Sequence, residues 1–193
     1  MNEKFGGTAY VRKRSPRVAV DELTEIIQRR KLKAVIFIDE VLWVKNSWLE
    51  EFLDLYEREI RLPFSANFRF GPISENLIRK MASAGADTLI VATETADEKQ
   101  RRELLNKAVA NSLIIQICEW LNKYKIKFSI NTFFGLPGDT LEQHFARIPF
   151  FHRLEATYIW TTFFQPYPKL KLTDAFNTQQ VMPENIFFEK TLH

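Results

Sequence analysis

Short apolar runs alternate with amphipathic segments along most of this 193-residue chain. Runs of this length, rich in β-branched and aromatic residues, predict strands, and the segments between them repeat apolar residues at helical spacing. Strands that alternate with helices form parallel sheets with right-handed crossovers. The predicted strands are AVIFID (34–39), FSANFRF (64–70), TLIVATE (88–94), KFSINTFFG (127–135) and TYIWTTFFQP (157–166).

Helix-end signals place helices before and between these strands. Ser15 and Pro16 suit the cap and first turn of a helix over 18–30, and Ser74 and Gly85 suit the two ends of another. Further helices are predicted from Asn46, near 97–105, from about 111 to 124, and over 140–154.

The same patterns predict burial. The continuous apolar runs 34–39 and 88–94 predict buried strands, the first of them covered on both faces. The strict alternation in 64–70 predicts a strand with one polar face. In the last helix, Pro149 is expected to kink or end the helical segment.

Polar residues at the carboxyl ends of the strands favour one of two possible architectures. In a βα barrel these ends converge on one mouth, whereas in an open doubly wound sheet they are strung along an edge. We therefore favour the barrel. Because the chain begins with a helix, we also expect the 34–39 strand to leave an apolar edge exposed. The strand-end residues are Asp39, Glu40, Asn67, Arg69, Glu94, Asn131, Thr132, Gly135 and Gln165.

Composition narrows the class of protein. A single cysteine, Cys118, cannot form an internal disulfide, which favours a reducing, cytoplasmic setting. No apolar run approaches the length of a membrane span, so we expect no membrane association. The net charge of +3 is too small to indicate a nucleic-acid partner.

Five blocks of sequence, in this order, resemble a radical S-adenosylmethionine (radical SAM) enzyme, of the subgroup that often carries a cobalamin (B12)-binding domain. The resemblance spans about Tyr10 to Phe176. The blocks are YVRKRSP, IFIDEVLWVKNSWLEEFLDLYEREIRLPFSANFRF, LIRKMASAGADTLIVATETADEKQRRELLNKAVANSLI, INTFFGLPGDT and FFQPYPKLKLTDAF.

The resemblance implies an α/β fold: a partial TIM-type (βα)6 barrel that here lacks its first strand and keeps five parallel strands with helices outside. It implies a remnant of the cluster loop or a linker at 1–17, the incomplete barrel at 18–170, and a tail or the start of a following segment at 171–193. Such enzymes use a [4Fe-4S] cluster to cleave S-adenosylmethionine and start radical chemistry, such as methyl or other group transfer on a substrate that remains unknown here. Cobalamin is a further possible cofactor of a full-length protein.

The most serious departure of this sequence from the family concerns the ligands of the cluster. The family binds its cluster through a Cys-x3-Cys-x2-Cys triad after the first strand, and this chain contains no such triad. Cys118 follows Ile114 and Ile117 at helical spacing and is better explained as a core residue than as a ligand. We therefore expect a truncation before or within the cluster loop, a missing N-terminal region as partner, and no activity of the chain alone.

The resemblance assigns cofactor binding to two groups of residues. Asp39, Glu40 and Arg69 would meet the methionine end of S-adenosylmethionine, although strand-end carboxylates are also common as solvated residues, and Arg69 could instead pair with Asp39 or Glu94. Glu94 stands where the family usually has Gly-Ile-Glu-Ser-Gly, with alanines at 92 and 96 in place of the glycines. Added methyl groups at those positions would crowd a ligand.

The stretch NTFFGLPGDT (131–140) corresponds to the segment that lies against adenine in the family. Asn131, Gly135, Pro137 and Gly138 are therefore expected to bind the cofactor. The alternative is a tight turn capped by Asp139 or Thr140 that only starts the next helix. Two further residues, Gln165 and Tyr167, are expected on the substrate side. No catalytic and no metal-ligating residue is predicted.

Two other hypotheses remain. The chain could be a degenerate, non-catalytic βα-barrel domain that binds a partner or serves as a scaffold, which the missing cysteines and the two alanines favour. It could also be an unrelated βα-barrel lyase or isomerase, with Asp39, Glu40 and Glu94 supplying an acid/base pair.

Overall fold

The computed structural model describes residues 13–42 and 45–165, which contain six helices and five strands. The elements follow one another as the sequence predicts, including the two successive helices before β4. In chain order they are α1 (Pro16–Arg29), β1 (Val35–Phe37), α2 (Asn46–Glu59), β2 (Phe64–Phe68), α3 (Glu75–Ala84), β3 (Ala86–Glu94), α4 (Glu98–Glu103), α5 (Asn111–Lys123), β4 (Lys127–Phe134), α6 (Leu141–Arg153) and β5 (Tyr158–Phe163).

The five parallel strands form one sheet in the order β1-β2-β3-β4-β5. In the outer pairs, Val35 aligns with Phe64 and Ser129 with Tyr158. A doubly wound sheet reverses its strand order at a switch point, whereas the strands of a βα barrel follow one another in sequence. The sequential order therefore agrees with part of a TIM-type barrel and confirms the predicted fold class.

The chain divides into two compact units. The described residues of the first unit are 13–42, 45–89 and 120–127, and those of the second unit are 90–119 and 128–165. In the first unit, the Ser15 side chain caps α1, and α2 packs against both α1 and α3. Aromatic rings of Phe37, Phe52, Tyr56 and Phe64 meet at centroid distances of 5.2–6.3 Å.

Gly85 ends α3 as the sequence predicts, and its position requires glycine for two reasons. Its φ is +106°, in the left-handed region, and a Cβ atom built there would lie 3.0 Å from the carbonyl oxygen of Leu62. Only a residue without a side chain fits this conformation and this close approach.

The second unit is built on β4, in which Phe128, Ser129, Ile130 and Thr132 are buried. A capping box starts α6: the Thr140 hydroxyl accepts from the Gln143 amide, and the Gln143 side chain accepts from the Thr140 amide. Thr140, one of the two caps considered from the sequence, is thus the cap.

Two expectations about strands need correction. The 34–39 run is not covered on both faces, because Ile36 is 72% and Ile38 is 87% exposed. As the first strand in the sheet order, β1 packs one face only, and the predicted exposed apolar edge is present. In β3, Leu89, Val91 and Thr93 are buried while Ile90 is exposed, so this strand is also covered mainly on one face.

Pro149 does not end the last helix, because α6 continues through it to Arg153. A proline removes the hydrogen bond to the carbonyl four residues earlier, here that of Phe145. Phe145 is 63% exposed, so water can satisfy this carbonyl. Among the described residues, no helix is long and apolar enough to cross a membrane.

Candidate functional site

Glu94 ends β3 in an unusual conformation. Its φ is +64°, a left-handed value that non-glycine residues adopt infrequently. Its carboxylate is 14% exposed, and Oε1 accepts a hydrogen bond from Nζ of Lys107 at 2.5 Å. A partly buried carboxylate and an ammonium group therefore stand side by side at this strand end.

The loop that contains Lys107 is anchored by the buried guanidinium of Arg101. Arg101 donates to the carbonyls of Thr95 and Val109 and to the side chain of Asn111, at 2.5–3.1 Å. The Lys107 amide in turn donates to the Arg101 carbonyl at 3.1 Å. Burial lowers the pKa of Arg101, against the effect of the nearby acidic groups. These bonds fasten the loop between α4 and α5 to the end of β3.

Strand β4 adjoins the same strand end. Oγ1 of Thr132 donates to the carbonyl of Glu94 at 2.8 Å. Asn131 precedes it, half-buried and in register with Trp160 of β5. Within the second unit, Asn131 and Glu94 thus lie on adjoining strand ends, as the sequence predicts.

The segment after β4 is a tight turn. The Asp139 amide donates to the Leu136 carbonyl at 2.9 Å, and Pro137 and Gly138 occupy the two central positions. Gly138 has a φ of +83°, the value that the third position of a type II turn requires. Gly135 is also left-handed, with a φ of +75°. We call residues 135–139 the glycine turn.

The two glycines of this turn leave their backbone open. A Cβ atom built on Gly135 or Gly138 would meet nothing within 4 Å. None of the hydrogen bonds between described residues uses the N–H or C=O groups of either glycine. Pro137, by contrast, is buried, and its carbonyl lies 3.5 Å from the Gln100 side chain. Among residues 13–42 and 45–165, the backbone donors and acceptors of the two glycines are therefore unpaired, and they lie on an open side of the turn.

In the first unit, the predicted residues Asp39, Glu40 and Arg69 are all exposed. The Asp39 carbonyl accepts from the Asn67 side chain at 2.7 Å, and the Asn67 carbonyl accepts from the Leu42 amide at 3.1 Å. Asn67 thereby shapes the segment after β1. Within this unit, no described carboxylate lies within 4 Å of the Arg69 guanidinium, so the alternative pairing of Arg69 with Asp39 is absent.

Gln165 is exposed beyond the end of β5. It lines an open hollow of about 510 Å³ together with Phe133, Thr162, Phe163 and Phe164. Tyr167 lies outside the described residues, so its predicted place on the substrate side stays a prediction.

The described residues do not fit an iron–sulfur cluster. Cys118 is buried in α5, and burial, with a smaller contribution from Glu119, raises the pKa of its thiol to about 12. Cluster ligands are thiolates, and several are needed. No three His, Cys, Asp or Glu side chains are grouped in the part of the chain that the structure describes.

Sequence reasoning missed Lys107 and Arg101. Both stand in a polar stretch, EKQRRELLNK (98–107), in which nothing marks one basic residue as buried and another as an ion-pair partner. The left-handed φ of Glu94 was equally hidden, because a glutamate gives no conformational signal of that kind.

Comparison with known proteins reveals similarity at low sequence identity. No family model matches the chain. An uncharacterized methyltransferase of Pyrococcus horikoshii is 22% identical over 154 residues, which cover 79% of this chain and 33% of that protein.

Solved structures match this chain in fold. The radical S-adenosylmethionine methyltransferase TsrM of Kitasatospora setae, solved with cobalamin and a [4Fe-4S] cluster bound, matches with a TM-score of 0.65 and 18% identity, over 78% of this chain and 31% of that chain. HemN of Escherichia coli, a coproporphyrinogen III oxidase and radical SAM enzyme, matches with a TM-score of 0.64 and 13% identity, over 86% and 42%. OxsB, a cobalamin-dependent S-adenosylmethionine radical enzyme solved with aqua-cobalamin and S-adenosylmethionine, matches with a TM-score of 0.64 and 14% identity. The match covers 86% of this chain and 26% of that chain.

The chain therefore has the fold of part of a radical SAM enzyme core, which confirms the resemblance found in the sequence at the level of fold. It spans about a third of the length of the methyltransferase and of TsrM.

Proposed function

We propose that this chain forms the S-adenosylmethionine-binding part of a radical SAM enzyme whose cluster-binding residues lie outside these 193 residues. The observation that carries the proposal is the Glu94–Lys107 pair in the same unit as a glycine turn whose backbone is open.

The chemistry of these groups matches the two ends of the ligand. The amino acid end of S-adenosylmethionine bears an ammonium and a carboxylate, which Glu94 and Lys107 complement in charge. Adenine offers donors and acceptors on its edge, and the free N–H and C=O groups of Gly135 and Gly138 can pair with them. Asn131 adds a neutral donor and acceptor beside Glu94.

The reaction is proposed only for a complete protein. The bound cluster supplies the electron that cleaves S-adenosylmethionine in such enzymes, and the single buried cysteine here cannot hold it. What this chain contributes is the binding and orientation of the cofactor, and the hollow beside Gln165 is our proposal for the substrate side. The resemblance to TsrM and OxsB supports methyl or other group transfer, with cobalamin as a possible second cofactor.

Calorimetric titration of the 193-residue chain with S-adenosylmethionine tests the proposal. We expect saturable binding, weakened about tenfold in Lys107→Met, as loss of a charged hydrogen bond predicts. 5′-Methylthioadenosine, which lacks the amino acid end, should bind Lys107→Met and wild type equally. Lys99→Met is the matched control, because Lys99 is an exposed lysine of α4. Absence of wild-type binding would refute the proposal.

A second candidate function is a non-catalytic binding or scaffold domain. Ala92 and Ala96 favour it, because the family usually has glycine at both positions, and Ala96 is buried here. The titration distinguishes the two candidate functions, because a folded chain that does not bind S-adenosylmethionine supports the scaffold function. If the chain does bind S-adenosylmethionine, Ala92→Gly and Ala96→Gly should raise the affinity, because each removes a methyl group that would crowd the ligand.

A further inference from the structure

A cluster of buried polar side chains lies behind the glycine turn. The carboxylate of Asp139 is only 2% exposed and accepts four hydrogen bonds from three residues. Oδ2 accepts from the Leu136 amide at 3.0 Å and from Nη1 of Arg147 at 3.2 Å. Oδ1 accepts from the Gln100 side chain at 2.8 Å and from Nη2 of Arg147.

The cluster joins three parts of the second unit. Asp139 belongs to the turn, Gln100 to α4 and Arg147 to α6. Nη2 of Arg147 also donates to Oε1 of Gln100 at 3.1 Å, so each of the three side chains contacts the other two. His144 completes the cluster, with Nε2 3.5 Å from the Asp139 carboxylate.

The bonds formed by Asp139 reach the backbone of the turn itself. Its side chain accepts from the amide of Leu136, and its own amide closes the turn on the Leu136 carbonyl. Any rotation of the carboxylate would open the first of these bonds. Arg147 holds the carboxylate through both oxygens, the bidentate geometry that fixes orientation as well as distance.

We propose that Arg147 is a positioning residue for cofactor binding: it locks Asp139 and Gln100, and thereby keeps the backbone of Gly135 and Gly138 in a preformed, open arrangement. This inference rests on the proposed function, since it gives the turn a ligand. Preformed backbone groups bind without first losing conformational entropy, which is why fixing the turn raises affinity.

A purely structural role for Arg147 predicts something different. A buried ion pair that only supports the fold would, when broken, destabilise the whole second unit evenly. A positioning role predicts an additional local effect at the turn, beyond any loss of overall stability, and partial rescue by lysine, which keeps the charge but cannot make the bidentate contact.

Hydrogen–deuterium exchange of the ligand-free chain provides the first test. In Arg147→Met, exchange of the Leu136 and Asp139 amides should accelerate about tenfold more than exchange of β4 core amides such as that of Ile130, whose acceleration reports any loss of overall stability. Arg147→Lys should fall between. Arg153→Met is the matched control, an exposed arginine on the same helix, and should leave the turn unchanged.

Titration with S-adenosylmethionine provides the second test. Affinity should fall about tenfold in Arg147→Met, recover partly in Arg147→Lys and stay unchanged in Arg153→Met. Unchanged exchange at Leu136 and Asp139, or equal acceleration across all strands, would overturn the positioning role. If the wild-type chain binds no S-adenosylmethionine, the proposed function fails, and the exchange data alone decide whether Arg147 fixes the turn.

Discussion

Two nitrogen atoms of the Arg101 guanidinium, Nε and Nη2, donate to one carbonyl oxygen, that of Val109, at 3.1 and 2.6 Å. The seven residues between them, 102–108, form a loop that folds back onto α4, the helix from which it starts. Because Lys107 lies inside this loop, the Arg101–Val109 contact also sets where the ammonium group meets Glu94.

Replacing Arg101 with methionine is expected to be strongly destabilising. The carbonyls of Thr95 and Val109 would lose a buried donor, at a cost of about 3 kcal/mol in the free energy of unfolding. Urea denaturation measures this cost. Arg102→Met is the control, because Arg102 is exposed. This variant should change the free energy of unfolding by less than about 0.5 kcal/mol. Equal losses in the two variants would contradict the role of Arg101.

Substitution of two left-handed glycines should have unequal effects. Gly138→Ala meets open space and should cost about 1 kcal/mol of conformational strain. Gly85→Ala adds an approach of 3.0 Å to the Leu62 carbonyl and should cost about 2–3 kcal/mol. Urea denaturation of both variants ranks them, and a larger loss for Gly138→Ala would contradict the open space around Gly138.

Asp139 should make the free energy of unfolding depend on pH in the acid range. Burial opposes its charged form, but the bonds from Arg147 and Gln100 outweigh burial and hold the pKa of Asp139 below its ordinary value. A lowered folded-state pKa contributes stability above the unfolded value of about 3.9, and this stability is lost as the pH falls through the folded value.

Asp139→Asn removes the negative charge and leaves the Arg147 cation unpaired. We expect it to cost about 3 kcal/mol at pH 7. The difference should narrow below about pH 4, because the carboxylate of the unfolded chain is protonated there first and the folded one only at lower pH. Guanidinium denaturation across this range measures the trend. Arg147 and His144 are the charged or titratable groups beside Asp139. A constant difference between pH 7 and pH 3 would exclude the linkage.

Cys118 should resist thiol reagents in the folded chain. A thiol pKa of about 12 leaves very little thiolate at pH 8, so labelling should be about a thousandfold slower than in urea. Absorbance during reaction with a chromogenic disulfide follows this rate. Fast labelling of the folded chain would show that the thiol is accessible, and would reopen its candidacy as a metal ligand.

The sequence was sufficient for the order of helices and strands because periodicity and caps are local signals. Ser15, Ser74, Thr140 and Gly85 stand where their capping chemistry requires them. It was insufficient where the outcome depends on partners distant along the chain. An apolar run such as 34–39 does not reveal whether one or both of its faces will be covered.

The candidate site shows the same distinction between local signals, which the sequence reveals, and contacts with distant partners, which it does not. The turn at Gly135 and Gly138 follows from glycine and proline chemistry, which acts on the residue itself. The pairing of Glu94 with Lys107, and of Asp139 with Arg147, brings together residues 13 and 8 positions apart through the way the chain folds back. Charged residues are too common in this sequence for such partners to be chosen from spacing.

The exposed side chains of Ile36 and Ile38 form an apolar surface whose tendency to associate should depend on temperature. Contact between apolar surfaces in water is driven by entropy near room temperature and weakens on cooling. Copies of the chain that stay apart in the cold would therefore adhere through this edge as the solution warms. Storage conditions, as much as concentration, would decide whether such a sample remains monodisperse.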